Sequence, residues 1–164
     1  MRRDVPGDRR AEIFRAQFSK AYYNIGMIYD KMGKTKEASD SYKKSLKKCE
    51  EDPNKKLIQS ATYKKAGTNY AVTLEKLGER EEAVKLLQEL KVSFGNEVRV
   101  YNNLGIIQKR QGDVQLAIAS YQSALQADPD SFFPNYNLAV LLAGESQFDK
   151  ALKYFDKSLQ ISKE

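Results

Sequence analysis

Four segments of the chain carry the same pattern, and this repetition restricts the possible folds more than any other feature. In each segment a small residue is followed twelve residues later by an alanine, and four residues beyond it by a bulky apolar residue. The small residues and their alanines are Gly26 and Ala38, Ala71 and Ala83, Gly105 and Ala117, and Ala139 and Ala151. Successive segments are offset by 45, 34 and 34 residues, which is typical of a repeat protein.

The third segment predicts two helices joined by a short turn. Tyr101, Leu104 and Ile107 keep helical spacing, and Gly112 with the following aspartate interrupts the helix. A second helix is predicted to end before Pro129, because proline lacks an amide donor and restricts the residue before it. Small residues at Gly105 and Ala117 would let the two antiparallel helices cross closely. Because neither helix buries its apolar face alone, we expect neighbouring pairs to stack.

This pattern resembles the tetratricopeptide repeat (TPR), in which an aromatic, Leu-Gly, a second aromatic, alanine, a third aromatic, alanine and proline follow at set intervals. The third segment matches at Tyr101, Leu104, Gly105, Ala117, Tyr121, Ala124 and Pro129. The first matches at Tyr22, Ile25, Gly26, Tyr29, Ala38 and Tyr42, with Ser45 in place of the second alanine. The second and fourth segments depart from it, with Gly67 and Asn135 at the first aromatic position. The resemblance implies an all-α fold, a right-handed α-solenoid of stacked antiparallel helix pairs.

We expect one TPR domain over residues 8–164, after an extended or disordered segment 1–7. Its repeats are predicted at about 8–52, 53–97, 98–131 and 132–164. The first helix is predicted to extend upstream, with Asp8 as its N-cap, and the second repeat to begin a long helix near Pro53.

The second helix of the fourth repeat is expected to leave three apolar residues without a neighbour, namely Leu152, Leu159 and Ile161. Such a face indicates either a piece of a longer protein, which we favour, or self-association through this helix.

The composition argues against catalysis. Histidine is absent, Cys49 is the single cysteine, and no phosphate-binding loop occurs, so we expect no enzyme activity, metal or cofactor. One cysteine cannot form an internal disulfide, which favours a reducing, cytoplasmic setting. The longest apolar run, Leu138–Ala143, is too short to span a bilayer, and we expect no membrane contact.

A recurrent asparagine indicates a binding surface. The resemblance implies that the first helix of each repeat lines an inner groove. Two residues before each small residue stands an asparagine, at Asn24, Asn69, Asn103 and Asn137. An amide offers a donor and an acceptor, so these side chains are predicted to hold the backbone of an extended peptide. Asparagine is also the commonest residue at this position in the family, and a role without peptide contact stays open.

Basic residues accompany the asparagines in the first three repeats. Four residues before each asparagine, the first three repeats carry a cation and the fourth an aromatic residue: Lys20, Lys65, Arg99 and Phe133. Seven residues after each asparagine, the first three repeats again carry a cation and the fourth a glycine: Lys31, Lys76, Arg110 and Gly144. The net charge is +6. These cations predict an acidic peptide partner, with Tyr23 and Tyr136 as aromatic anchors, although such side chains can simply solvate a helix.

Other partners are less well supported by the residues. TPR proteins that bind the EEVD tail of chaperones use a five-residue clamp, but its places in the first two repeats hold Tyr23, Met27, Thr68 and Val72. The third unit of the clamp supplies a lysine and an arginine. Their places hold Arg99 and Asn103 if that unit is aligned with the third repeat here, or Phe133 and Asn137 if it is aligned with the fourth. Nucleic-acid binding, suggested by the positive charge and ten tyrosines, is an alternative. A third is that these repeats form the targeting arm of a longer enzyme.

Overall fold

A computed structural model describes residues 6–162. These residues form eight α-helices and no strand, which confirms the all-α prediction for this part of the chain. The helices are α1 (Pro6–Lys31), α2 (Thr35–Glu50), α3 (Ala61–Lys76), α4 (Arg80–Phe94), α5 (Val98–Gln111), α6 (Val114–Ala127), α7 (Phe132–Gly144) and α8 (Phe148–Ile161). A short 3-10 helix, Leu57–Gln59, lies between α2 and α3.

The helices belong to two compact units, which divide within α4 between Leu86 and Leu87. In the first unit α2 packs against both α1 and α3, and α1 also contacts α3. In the second unit α5 pairs with α6 and α7 with α8, while α7 also packs against α6 and α5. Each unit is therefore built from helix pairs that also contact the next pair.

Two glycines let the helices of a pair approach closely. A Cβ atom on Gly26 of α1 would lie 2.6 Å from the ring of Tyr42 on α2, and one on Gly105 of α5 would lie 2.6 Å from the ring of Tyr121 on α6. Both rings are almost completely buried. The small residue thus makes room for the aromatic ring that lies four residues after the alanine of the repeat. The sequence analysis placed Gly105 and Ala117 at the crossing but did not predict the contact with this ring.

The start of α1 differs from the prediction. The upstream extension of this helix is confirmed, but the helix begins at Pro6, so Asp8 lies inside it and the predicted N-cap is wrong. Proline favours the first helical position because its φ angle suits a helix and it needs no amide partner there. Of the predicted N-terminal segment 1–7, Pro6 and Gly7 are helical, and residues 1–5 lie outside the described residues.

The start of α3 also differs, because the helix begins at Ala61 rather than near Pro53. The buried carboxylate of Asp52 accepts hydrogen bonds from the backbone N–H groups of Asn54, Lys56 and Leu57, at 3.3, 2.8 and 3.1 Å. These bonds hold the intervening residues in a turn. The side chain of Ser60 then caps α3 by accepting from the N–H of Tyr63. Local side-chain bonds have replaced the two extra helical turns.

Candidate functional site

In the first unit, the two predicted groove asparagines have different surroundings. Asn24 on α1 is exposed, and its side chain makes no hydrogen bond within residues 6–162. Asn69 on α3 is half-buried, and its Nδ2 donates to the hydroxyl of Tyr42 at 3.3 Å. Asn24 is therefore available to a ligand, whereas Asn69 also connects α3 to α2.

Asn69 belongs to a polar network that joins α1, α2 and α3. The hydroxyl of Tyr42 donates to Oδ2 of Asp30 at 3.4 Å, and Nζ of Lys76 lies 3.1 Å from Oδ1 of the same carboxylate. Burial raises the pKa of Tyr42 to about 12, so the hydroxyl remains a donor near neutral pH. The ring of Tyr23 lies 6.0 Å from that of Tyr42. Lys76 and Tyr23 thus contribute to the packing of the unit.

Three other predicted cations of the first unit are accessible. Lys20 and Lys31 on α1 and Lys65 on α3 are exposed and form no ion pair with the described part of the chain. Since α1 and α3 are in contact, these ammonium groups and Asn24 are carried by two neighbouring helices. Within the described part of the chain, the first unit therefore presents three cations without an ion pair and one amide without a hydrogen-bond partner.

In the second unit the asparagines again differ. Asn103 on α5 is half-buried, and its side chain has no hydrogen-bond partner among the described residues. Nδ2 of Asn137 on α7 donates to Oδ1 of Asn102 at 3.0 Å. In each unit one asparagine amide thus forms a bond between helices, at Asn69 and Asn137. The other amide, at Asn24 and Asn103, has no hydrogen-bond partner among the described residues.

The remaining predicted residues of the second unit form two groups. Arg99 and Arg110 are exposed, and each interacts with other groups of the chain. Gly144, at the end of α7, is exposed. Tyr136 and Phe133 belong to an aromatic cluster on α7, in which the Tyr136 ring stacks on Phe132 at 5.9 Å and meets the edge of Phe155 at 5.8 Å. Phe133 contacts Phe132 edge-on at 5.4 Å, and its side chain is exposed.

Sequence reasoning missed Asp30, Asn102 and Phe132. Asp30 neutralises Lys76 across 46 residues of chain, and Asn102 binds Asn137 across 35. A charged residue of opposite sign beside Lys31 was visible, but only the packing of α1 against α3 shows which lysine it pairs with. Phe132 directly precedes Phe133, and the doubled aromatic could have indicated a cluster.

Among the described residues there is no cluster of metal ligands, and the single thiol is buried. No three potential acidic or cysteine ligands lie close enough together to hold a metal ion between residues 6 and 162. Cys49 is buried, its sulfur lies 3.0 Å from Oγ of Ser19, and burial raises the pKa of the thiol. The thiol is thus kept from forming the nucleophilic thiolate. None of the helices between Pro6 and Ile161 combines the length and apolar character that crossing a membrane requires.

Paired antiparallel helices with a small residue under an aromatic ring, repeated along the chain, define a helical-repeat protein. Tetratricopeptide repeat models match residues 19–52, 65–96, 98–131 and 134–164. The chain belongs to the tetratricopeptide repeat family, which confirms both the resemblance and the fold of stacked helix pairs. This fold is consistent with a scaffold for protein–protein interaction.

Several known proteins are similar to this chain. The TPR repeat-containing protein MJ1428 of Methanocaldococcus jannaschii is 24% identical over 142 residues, which are 86% of this chain and 24% of that protein. The chain thus spans about a quarter of the length of this relative. Among solved structures, BtubC from P. vanneervenii has a TM-score of 0.76 at 23% identity, covering 88% of this chain and 63% of that one.

Two further structures share the fold. MamA has a TM-score of 0.69 at 20% identity, with coverage of 88% of this chain and 78% of that chain. YrrB, described as a TPR protein with an unusual peptide-binding site, has a TM-score of 0.63 at 24% identity, with coverage of 87% and 68%. At these identities the similarity establishes the fold.

Proposed function

We propose that this protein is a non-catalytic interaction module that binds an extended acidic peptide. The observation that carries the proposal is the surface of the first unit, where Lys20, Lys31 and Lys65 are exposed and where neither they nor Asn24 have an ion-pair or hydrogen-bond partner among residues 6–162. Unneutralised cations on neighbouring helices attract and orient a negatively charged segment. The proposal involves no cofactor and a cytoplasmic setting, and the missing clamp residues argue against an EEVD tail as the ligand.

The amide of Asn24 supplies a contact that does not depend on the peptide sequence. An asparagine side chain donates from its nitrogen and accepts at its oxygen, so it can pair with the C=O and N–H of an extended backbone. Asn103 provides a second such amide in the second unit, where Arg99 lies on the same helix. In the first unit Asn69 supports the surface indirectly, through its bond to Tyr42, and in the second unit Asn137 holds Asn102 in the same way.

Charge reversal tests the electrostatic part of the proposal. A fluorescent acidic peptide without defined structure is titrated against the wild type and against a variant with Lys20→Glu and Lys65→Glu. We expect the affinity to fall about tenfold or more, because two attractive contacts become repulsive. The matched control carries Lys36→Glu and Lys47→Glu, which change two exposed lysines of α2 and lower the net charge equally. Its affinity should change much less.

Replacement of Asn24 tests the amide contact. Asn24→Ala should weaken peptide binding about 5–10-fold, the loss expected for one or two hydrogen bonds, without changing thermal stability. Equal losses in the two charge-reversed variants would show that only net charge matters and would contradict the proposed site. Tighter, steeply salt-dependent binding of a single-stranded oligonucleotide would instead favour the nucleic-acid alternative.

A further inference from the structure

One side of α1 carries a row of apolar side chains that the described part of the chain does not cover. The α1 face consists of six residues spaced four and three apart, five on α1 and one directly after its end, namely Phe14, Phe18, Ala21, Ile25, Ile28 and Met32. All six side chains are exposed, and Ile25 and Ile28 are 41% and 58% exposed. Such spacing places the side chains along one side of a helix, in the pattern that packs against another helix.

The other three repeats show what covers this position. Ile25 directly precedes the small residue of its repeat, and Ile28 follows it by two. The equivalent pairs are Tyr70 and Thr73, Leu104 and Ile107, and Leu138 and Leu141. All six of these residues are at most 7% exposed. In the first unit α2 packs against α3, and in the second unit α6 packs against α7. In the second and fourth repeats, the second helix of the preceding repeat thus packs against the helix that carries this position.

The opposite end of the repeat series offers a matching helix. The α8 face consists of Phe148, Leu152, Phe155 and Leu159, and all but the half-buried Phe155 are about 60% exposed. The sequence-based expectation of an uncovered helix is thus met at Leu152 and Leu159, while Ile161 is half-buried. The α6 residues that lie 34 positions before Phe148, Leu152 and Leu159 are Val114, Ile118 and Leu125. These three side chains pack against the buried cluster that contains Leu138 and Leu141 of α7. The α8 face is the surface that covers the next repeat inside the chain.

We propose that copies of this chain associate head to tail, with the α8 face of one copy packed over the α1 face of the next. The contact would repeat the α6–α7 interface between two molecules. Because each copy has one face of each kind, the contact is heterologous and can add further copies in series.

Charge favours α8 over a second α1 as the occupant of the α1 face. Two antiparallel α1 helices centred on Ala21 would bring Arg10 of one copy near Lys31 of the other, and a parallel pair would bring Arg10 near Arg15. Both arrangements oppose like charges. The α8 face is bordered instead by two exposed acidic residues, Asp149 and Asp156, which follow Phe148 and Phe155. Exposed Lys153 follows Leu152 in the same way, so the α8 face is bordered by charges of both signs and opposes fewer like charges to the basic α1 face than a second α1 would.

The oligomeric state of the 164-residue chain tests this proposal. Sedimentation velocity over a concentration series should show a mass that rises with concentration for the wild type. Ile28→Asp, in the α1 face, and Leu152→Asp, in the α8 face, should each weaken association at least about tenfold, because each places a charge in an apolar contact. Val92→Asp is the matched control, since Val92 is 86% exposed and belongs to neither face. It should associate like the wild type.

Mixing the two variants gives a sharper result. The Ile28→Asp chain keeps an intact α8 face, and the Leu152→Asp chain keeps an intact α1 face. Their equimolar mixture should therefore form one-to-one dimers that do not grow, although neither variant associates alone. A wild type that stays monomeric, a mixture that stays monomeric, or loss of association only in Ile28→Asp would each overturn the proposal. Circular dichroism confirms that each variant is folded.

Discussion

Because Gly105 has no side chain, the ring of Tyr121 can lie directly against its backbone. The ring atoms approach to within 2.6–2.9 Å of the place that a Cβ would occupy, and the ring is 1% exposed, so it has little room to move. The same arrangement recurs at Gly26 and Tyr42 in the first unit. The glycine of the repeat is therefore a steric requirement of the helix pair.

Substitution of this glycine should destabilise the second unit. Gly105→Ala forces the helices apart or shifts a buried ring, and we expect the free energy of unfolding to fall by about 1–3 kcal/mol. Gly144→Ala is the matched control, because a Cβ there meets no atom within 4 Å. Alanine favours a helix, so the control should be neutral or gain up to about 1 kcal/mol. Urea denaturation measures both, and equal destabilisation would contradict the packing argument.

At the scale of an element, the turn between α2 and α3 depends on one carboxylate. Asp52 is 1% exposed and accepts the three backbone N–H groups that would otherwise be left unpaired. Burial acts to raise the pKa of this carboxyl, but the three hydrogen bonds and the charge of Arg15 outweigh it, and the pKa is lowered. The ionised form is thus the one that stabilises the turn.

Loss of this carboxylate should destabilise the first unit. Asp52→Ala removes the acceptor of three part-buried backbone hydrogen bonds, and we expect a loss of about 1–3 kcal/mol in the free energy of unfolding. Since the folded pKa is lowered, the contribution is present above about pH 4, the unfolded value, and is lost as the pH falls through the folded value. Acid titration of stability should therefore be shallower in the variant. The exposed Asp40→Ala should retain the wild-type profile.

Across the whole molecule, each unit contains a core tyrosine that holds its proton tightly. Burial raises the pKa of Tyr42 in the first unit and of Tyr121 in the second to about 12. The folded chain therefore binds these protons more tightly than the unfolded chain, in which tyrosine has a pKa of about 10. The stability from both hydroxyls is complete below about pH 10 and declines as the pH rises towards about 12.

Alkaline pH should consequently weaken both units. We expect the urea midpoint of the wild type to fall between about pH 10 and about pH 12, and Tyr121→Phe to reduce this fall, because it removes one titrating hydroxyl. Tyr136→Phe, at an exposed ring, is the control and should leave the fall unchanged. An identical pH dependence in wild type and Tyr121→Phe would contradict the assignment.

Most of the fold could be predicted from the sequence, but only part of the candidate site. Residues such as Gly26, Ala38 and Tyr42 define the helix pairs because they act through short, periodic spacing. The turn at Asp52 and the start of α3 at Ala61 were missed, since a carboxylate that binds several backbone N–H groups leaves no periodic signal. The role of Lys76 was also missed, since its partner Asp30 lies on another helix.

By itself, the sequence determined the repeat register, the antiparallel helix pairs and the asparagine in each first helix. These features depend on residues within one repeat, where spacing directly determines which side chains share a face. The tertiary structure decided that Asn69 and Asn137 bond to other helices, while the amides of Asn24 and Asn103 have no hydrogen-bond partner among the described residues. It also decided that Ile25 and Ile28 are exposed where their equivalents are buried. Hydrogen bonding and burial depend on which helix lies opposite, and only the packed chain specifies that neighbour.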